Sequence, residues 1–333
     1  MARAPRVIPV IAVLPPRTLL LDVAGPVEVL RKANIEQDAI RFEISYVSPR
    51  PELMTSVGLP LSGLAPLPGT LPEDAMILLS GNTEETLGPE GAGEDEAAAE
   101  SEIVAWLARI VGSEHKLVCI CSGAVLAARA GLLDGRACTT HHSCCAQLAA
   151  IAPAARVLEN RLYVEDGNRL TSAGITAGID LMLHLVARLT EPETALAVAR
   201  YLVVYLRRGG GDPQLSPWLT GRNHMHPGIH RAQDLIAGDP AHPWPVPDLA
   251  RAAGVSPRHL SRLFNEHAGM SIPDYVNGLR VALARDLISQ TRLDMEHVAE
   301  QAGFGSTRQL RRAWGRLHDA PPSALRRGAA QAG

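Results

Sequence analysis

Lysine is nearly missing from this chain: Lys32 and Lys116 are the only two among its 32 basic side chains. Its positive charge therefore sits almost wholly on guanidinium groups, which stay charged at any ordinary pH and fork onto planar acceptors as an ammonium cannot. Cysteine is sparse too. Cys119, Cys121, Cys138, Cys144 and Cys145 are odd in number and crowded together, which excludes the spaced, even framework of a disulfide-stapled secreted domain. Long apolar runs are also missing, and none reaches the roughly 18 residues of a membrane-spanning helix. Residues 1–22 set basic side chains ahead of an apolar run, as a signal peptide does. Pro9, Pro15 and Pro16 interrupt that run and no small-residue cleavage site closes it, so residues 7–13 are expected to form a first buried strand.

At 333 residues, two domains are the natural expectation, and 46% hydrophobic content with 20% charge excludes a disordered chain. The net charge of −3 conceals a split. From Gly221 onward there are 14 arginines, no lysine and 10 acidic residues, whereas the preceding part holds 18 basic and 25 acidic side chains. Only the arginine-rich end suits a polyanion.

That end carries two helix-turn-helix patterns, at residues 246–269 and 294–317. In each, a short apolar-periodic helix (Leu249, Ala250, Ala253; then Val298, Ala299, Ala302) runs into a glycine, Gly254 or Gly303, where a tight turn needs positive φ. Ser256 and Ser306 then stand as N-caps of second helices. Leu260, Leu263 and Phe264 share one face of the first of these, and Leu310, Ala313 and Trp314 share one face of the other. The opposite faces hold Arg258, Ser261 and Arg262, and Thr307, Arg308, Arg311 and Arg312. Apolar packing on one side with guanidinium groups on the other is the layout of a recognition helix for the major groove of double-stranded DNA. A helix over residues 272–290 is expected to hold the two units at fixed spacing.

The tail AEQAGFGSTRQLRRAWGRLHDAPPSALRR, with the preceding pattern, resembles the AraC/XylS regulators over roughly residues 228–327. Gly305 stands where that family commonly has a larger residue, and Trp314 where it has phenylalanine. The resemblance implies a sequence-specific DNA-binding regulator of transcription.

The first two-thirds alternate short apolar runs with amphipathic segments. Strands are expected over residues 7–13, 42–48, 76–80 and 116–121, with helices near 26–33, 101–111, 124–130 and 174–187. This alternation predicts an α/β, doubly wound, mostly parallel sheet, followed by the all-α end. Residues 88–102, acidic and rich in glycine and alanine, are expected to be a solvated loop.

KLVCICSGAVLAARAGLL places Cys121 between a strand and a helix, the layout of a nucleophile elbow. There the thiol is expected to be exposed, with its pKa lowered by the helix N-terminus. LLLDVAGPVEVLRKAN, CSGAVLAARAGLLDGRACTTHH and LTSAGITAGIDLMLHLV together resemble the ThiJ/PfpI superfamily, the class-I glutamine-amidotransferase-like and flavodoxin-like fold, and within it the GlxA-like sensor domains fused to AraC-type regulators. The resemblance implies a small-molecule pocket at Asp22, Gly81, Cys121, Ser122 and His141, with no catalytic residue and no cofactor. Its alternative is a Cys121-dependent enzyme with Asp22 as the acid, of isonitrile-hydratase-like or amide and aldehyde chemistry. Ser122 stands where hydrolytic relatives carry histidine, and Ser80-Gly81-Asn82 retains one of the two usual glycines. A cysteine at an elbow also suits a redox sensor. CTTHHSCC, residues 138–145, is expected to hold no metal: Thr139, Thr140 and His141 match an ordinary family stretch, and His142 replaces its tryptophan.

The expected organisation is a sensor domain at residues 5–206, a glycine- and proline-rich linker at 207–227 and a DNA-binding domain at 228–327. The segment over residues 192–206 is expected to be a helix that is buried or offers a dimer surface. The expected partners are operator DNA, a small effector, a second copy of the chain and, for an activator, RNA polymerase; no membrane is expected. The expected location is the cytoplasm of a high-GC bacterium, inferred from composition.

Overall fold

A computed structural model describes residues 4–83, 94–174, 176–204, 208–211, 214, 221, 222, 224, 226–318 and 320–325. The chain divides into two compact units, Met1–Gln214 and Leu215–Gly333.

The first unit begins with β1 (Arg6–Val13), α1 (Leu20–Glu36), β2 (Ile40–Val47), β3 (Glu52–Met54), β4 (Pro60–Ser62), β5 (Met76–Leu79), α2 (Glu94–Ile110) and β6 (Lys116–Ile120). It continues with α3 (Gly123–Arg129), β7 (Ala137–Cys138), a short 3-10 turn (His142–Cys144), α4 (Cys145–Ile151), β8 (Arg156–Val157), β9 (Tyr163–Asp166), β10 (Arg169–Ser172), α5 (Ala177–Leu189) and α6 (Pro192–Tyr201). The main sheet has the order β2-β1-β5-β6-β10-β9, parallel except for β9. Successive strand residues face opposite sides, and here both sides are covered. Val10, Ala12, Met76, Leu78, Val118 and Ile120 pack under α1, α5 and α6, while Ile11, Val13, Ile77, Leu79, Leu117 and Cys119 pack under α2, α3 and α4. Burial on both faces is why these strands read as unbroken apolar runs.

Several elements depart from the sequence expectation. The acidic stretch expected as a loop is helical from Glu94, and residues 84–93 lie outside the described residues. Glu94, Asp95 and Glu96 occupy the first turn of α2, where the helix dipole favours carboxylates. Arg17 also pairs with Glu96 at 2.7 Å, and Arg50 with Asp95 at 2.6 Å. The β9–β10 hairpin, turned at Gly167 with φ +60°, was not among the expected strands. Helix α5 starts at Ala177, later than expected, because Gly174 at φ +152° is incompatible with a helical start. The helix expected to reach residue 206 ends at Tyr201; Val203 has φ +54°, and residues 205–207 lie outside the described residues.

The described start of the expected linker is bound to the first unit. Leu162 N donates to Gly210 O at 3.1 Å, and Arg161 donates to Gly211 O at 3.1 Å. Arg208 pairs with the buried Asp180 at 2.5 Å. Much of the remaining stretch to residue 227 lies outside the described residues.

The second unit is helical: α7 (Pro227–Gly238), α8 (Val246–Ala253), α9 (Pro257–Ala268), α10 (Ile272–Gln290), α11 (Met295–Gln301) and α12 (Thr307–Trp314). No helix among the described residues is long and apolar enough to cross a membrane.

Candidate nucleic-acid interface and ligand pocket

Helix α8 ends at Gly254, left-handed at φ +73°. Ser256 then caps α9, its hydroxyl accepting from His259 N at 3.3 Å. Leu260, Leu263 and Phe264 are buried, while Arg258 and Arg262 are exposed. Ser261 is half-buried, its hydroxyl donating to Pro257 O at 3.0 Å, and Arg262 pairs with Glu266 at 3.1 Å.

The second unit of the tandem repeats this construction. Asp294 caps α11 by accepting from the amides of Glu296 and His297, and Gly303 turns the chain at φ +79°. Ser306 caps α12 by accepting from Gln309 N at 3.3 Å. Leu310, Ala313 and Trp314 are buried, Arg308, Arg311 and Arg312 are exposed, and Thr307 is half-buried. Trp314 also donates from its indole to Ala320 O at 2.8 Å, a bond phenylalanine cannot make. Helix α10 joins the two over the residues expected from the sequence. Arg312 further lines a cavity of about 340 Å³ with Arg280, Arg316 and Asp274.

In the first unit, Cys121 has φ +55°, a sharp elbow between β6 and α3. Its amide donates to Ser172 O at 3.1 Å, and Thr140 donates its hydroxyl to Cys121 O at 2.8 Å. The Ser122 hydroxyl accepts from Asn82 N and donates to Asn82 O, both at 2.8 Å. Two glycines make the close packing possible. A Cβ on Gly81 would fall 2.6 Å from Asp22 Oδ2 and 2.9 Å from both Cys121 Cβ and Ser122 Oγ. One on Gly174 would fall 3.0 Å from Cys121 Sγ and 3.1 Å from His141 Cδ2. The structure therefore brings together all five residues expected at the pocket: Asp22, Gly81, Cys121, Ser122 and His141.

Their electrostatics differ from the sequence expectation. Cys121 is 5% exposed, not displayed at the surface. Burial pushes its thiol well above the ordinary range, and the Asp22 carboxylate, which accepts a hydrogen bond from the thiol, pushes it the same way. The Ser122 backbone amide pulls it down, but by less. Desolvation of the thiolate beside a carboxylate thus outweighs the helix N-terminus. His141 is half-buried, and its imidazole is pushed down by burial and by His142. His141 Nδ1 lies 2.7 Å from Ser143 Oγ.

Sequence reasoning missed Thr140, Asn82 and Gly174 as supports of the elbow, though all three lie inside the stretches it singled out. It also missed Gln214, whose amide donates to Thr140 O at 2.8 Å. Cys145 Sγ lies 3.9 Å from Thr140 O, whereas Cys144 contacts the Ser143 hydroxyl at 3.7 Å, so the adjacent thiols face different neighbours.

The DJ-1/PfpI family pattern matches residues 10–188, more than half of the chain. The protein belongs to the DJ-1/PfpI family. A helix-turn-helix domain matches residues 249–328, so an AraC-type helix-turn-helix unit follows the DJ-1/PfpI unit. The chain is similar to the HTH-type transcriptional regulator GbdR of Pseudomonas aeruginosa, 32% identical over 214 residues, which are 64% of this chain and 58% of the relative. It is similar to the regulator GlxA of Rhizobium meliloti, 32% identical over 62% of this chain and 64% of that protein. The isonitrile hydratase of Pseudomonas putida is 30% identical over 55% of this chain and 72% of the enzyme. The match thus spans 58% of the length of GbdR and 64% of that of GlxA. Among solved structures, a ThiJ/PfpI family protein from Pseudomonas syringae shares the fold, with a TM-score of 0.50 and 24% identity over 75% of this chain and 90% of that one.

Proposed function

We propose that this protein is a ligand-responsive regulator of transcription that binds double-stranded DNA through α9 and α12. The observation that carries this reading is the repeat itself. Two helices, each capped by serine after a turn at a left-handed glycine, bury an apolar face and expose arginines on the other. Arg258, Ser261 and Arg262 on α9, and Thr307, Arg308, Arg311 and Arg312 on α12, contact bases or adjacent phosphates. Arginine is the commonest bidentate reader of guanine. The pocket at Asp22, Gly81, Cys121, Ser122 and His141 takes a small effector. The working form is a homodimer, and an activating role adds RNA polymerase as a partner. Selection from randomised duplexes by the full chain tests the DNA reading. The expected product is a two-part motif with its parts about 34 Å apart, one helical turn. Failure to enrich any sequence would refute it.

A second reading, a Cys121-dependent enzyme, draws on the Asp22–Cys121 hydrogen bond and the likeness to an isonitrile hydratase. Against it stands a thiol held protonated, since the thiolate is the nucleophile. Turnover of isonitriles, small amides or α-oxoaldehydes that disappears in Cys121→Ser would favour the enzyme.

A further inference from the structure

The two helix-turn-helix units have separate cores joined along one helix. The core of Ile229, Leu249, Leu260 and Phe264 takes α10 as far as Leu279, and the core of Val298, Leu310 and Trp314 takes it from Val281. Gly278 lies just before the changeover, and a Cβ there would meet nothing within 4 Å, so packing does not require glycine. Glycine inside a helix leaves the backbone freer than other residues do. A single helix with such a residue beside the changeover is a less rigid spacer than one without it.

A second connection crosses the same changeover. From α10, Arg280 reaches the α7–α8 loop of the first unit of the tandem. Its Nε donates to Pro240 O at 2.8 Å, and its Nη2 donates to His242 O at 3.0 Å and to Ala241 O at 3.5 Å. Asp239 O is taken by the Trp244 indole at 2.7 Å, so four successive carbonyls of the loop are engaged. The loop also meets the second unit of the tandem. A Cβ on Gly303 would fall 2.5 Å from Ala241 O and 2.6 Å from Ala241 Cα. The turn of the second unit therefore rests backbone to backbone on the loop of the first.

We infer that Arg280 and Gly303 fix the separation of the two recognition helices, with the 239–242 loop as the strut between the units. The inference rests on the DNA-binding reading above and deepens it. Arg280 acts here as a positioning residue: it sets which spacing between two half-motifs is tolerated, while the bases read remain those chosen by α9 and α12.

The test repeats the duplex selection with full-length wild type, Arg280→Gln and Gly303→Ala, each checked for cooperative thermal melting. Wild type should enrich two half-motifs at one spacing. Both variants should keep the half-motifs and broaden the spacing. Each should also lose about tenfold in affinity for the wild-type duplex, as expected when a tethered second site falls in effective concentration. One base pair inserted between the half-motifs should weaken wild type more than either variant. Folded variants that retain one spacing and the wild-type insertion penalty would overturn the inference. If Arg280→Gln does not fold, Arg280→Lys, which keeps the charge but cannot fork across three carbonyls, supplies the same comparison. Absence of any motif with wild type would instead refute the DNA-binding reading itself.

Discussion

Cys121 is governed by its neighbours more than by its place at the head of a helix. A thiol beside the buried Asp22 carboxylate gains little by ionising, so it stays protonated at neutral pH. Alkylation proceeds through the thiolate. Peptide mapping after limited treatment with iodoacetamide at neutral pH should therefore find half-exposed Cys144 modified before Cys121. Asp22→Asn removes the carboxylate that raises the Cys121 pKa, so it should speed labelling at that thiol, and labelling should rise further with pH. Rapid modification of Cys121 in the wild type would contradict this picture. The raised pKa was not legible in the sequence, because it comes from burial and from Asp22 on α1, and the close packing that buries the thiol draws on distant segments, with Gly81 after β5 and Gly174 after β10. The sequence showed which residues meet at the elbow through matching motifs, but not the burial that sets their chemistry.

At the scale of elements, the tandem helix-turn-helix was the most legible part. Its signals are local: left-handed glycines at Gly254 and Gly303, serine caps at Ser256 and Ser306, and apolar faces at helical spacing. These caps satisfy amides that the first turn leaves without helical partners. Ser256→Ala and Ser306→Ala should each cost about 1 kcal/mol of stability. Urea unfolding of the full chain, followed by hydrogen exchange at the amides of α9 and α12, checks this; unchanged midpoints would show the caps to be dispensable. Elements set by longer-range forces were harder to read. The start of α2 was hidden because its acidic first turn looks like a solvated loop until Arg17 and Arg50 are placed against it. The β9–β10 hairpin was hidden because β10 earns its place by pairing with β6, far away in sequence.

Over the whole molecule, charge and construction divide together. The acidic part of the chain forms the sheet unit with the Cys121 elbow, and the arginine-rich part forms the helical unit. The stretch expected to be a free linker does not begin as one. Gln214 holds the Thr140 carbonyl, and the Thr140 hydroxyl holds the Cys121 carbonyl, so the segment leading toward the second unit starts beside the Cys121 elbow. Under the proposed reading, an effector must favour one of two states by a difference in affinity, and a segment anchored beside Cys121 would give that difference a place to act. All of this matters only if α9 and α12 read DNA. The direct measurement is a gel-shift titration of the selected duplex with wild type, Arg262→Ala and Arg312→Ala, each confirmed as folded. Both variants should lose about 1–3 kcal/mol of binding, roughly 5- to 150-fold, with relaxed preference at the bases each arginine contacts. Unchanged affinity and unchanged sequence preference in both would contradict the account.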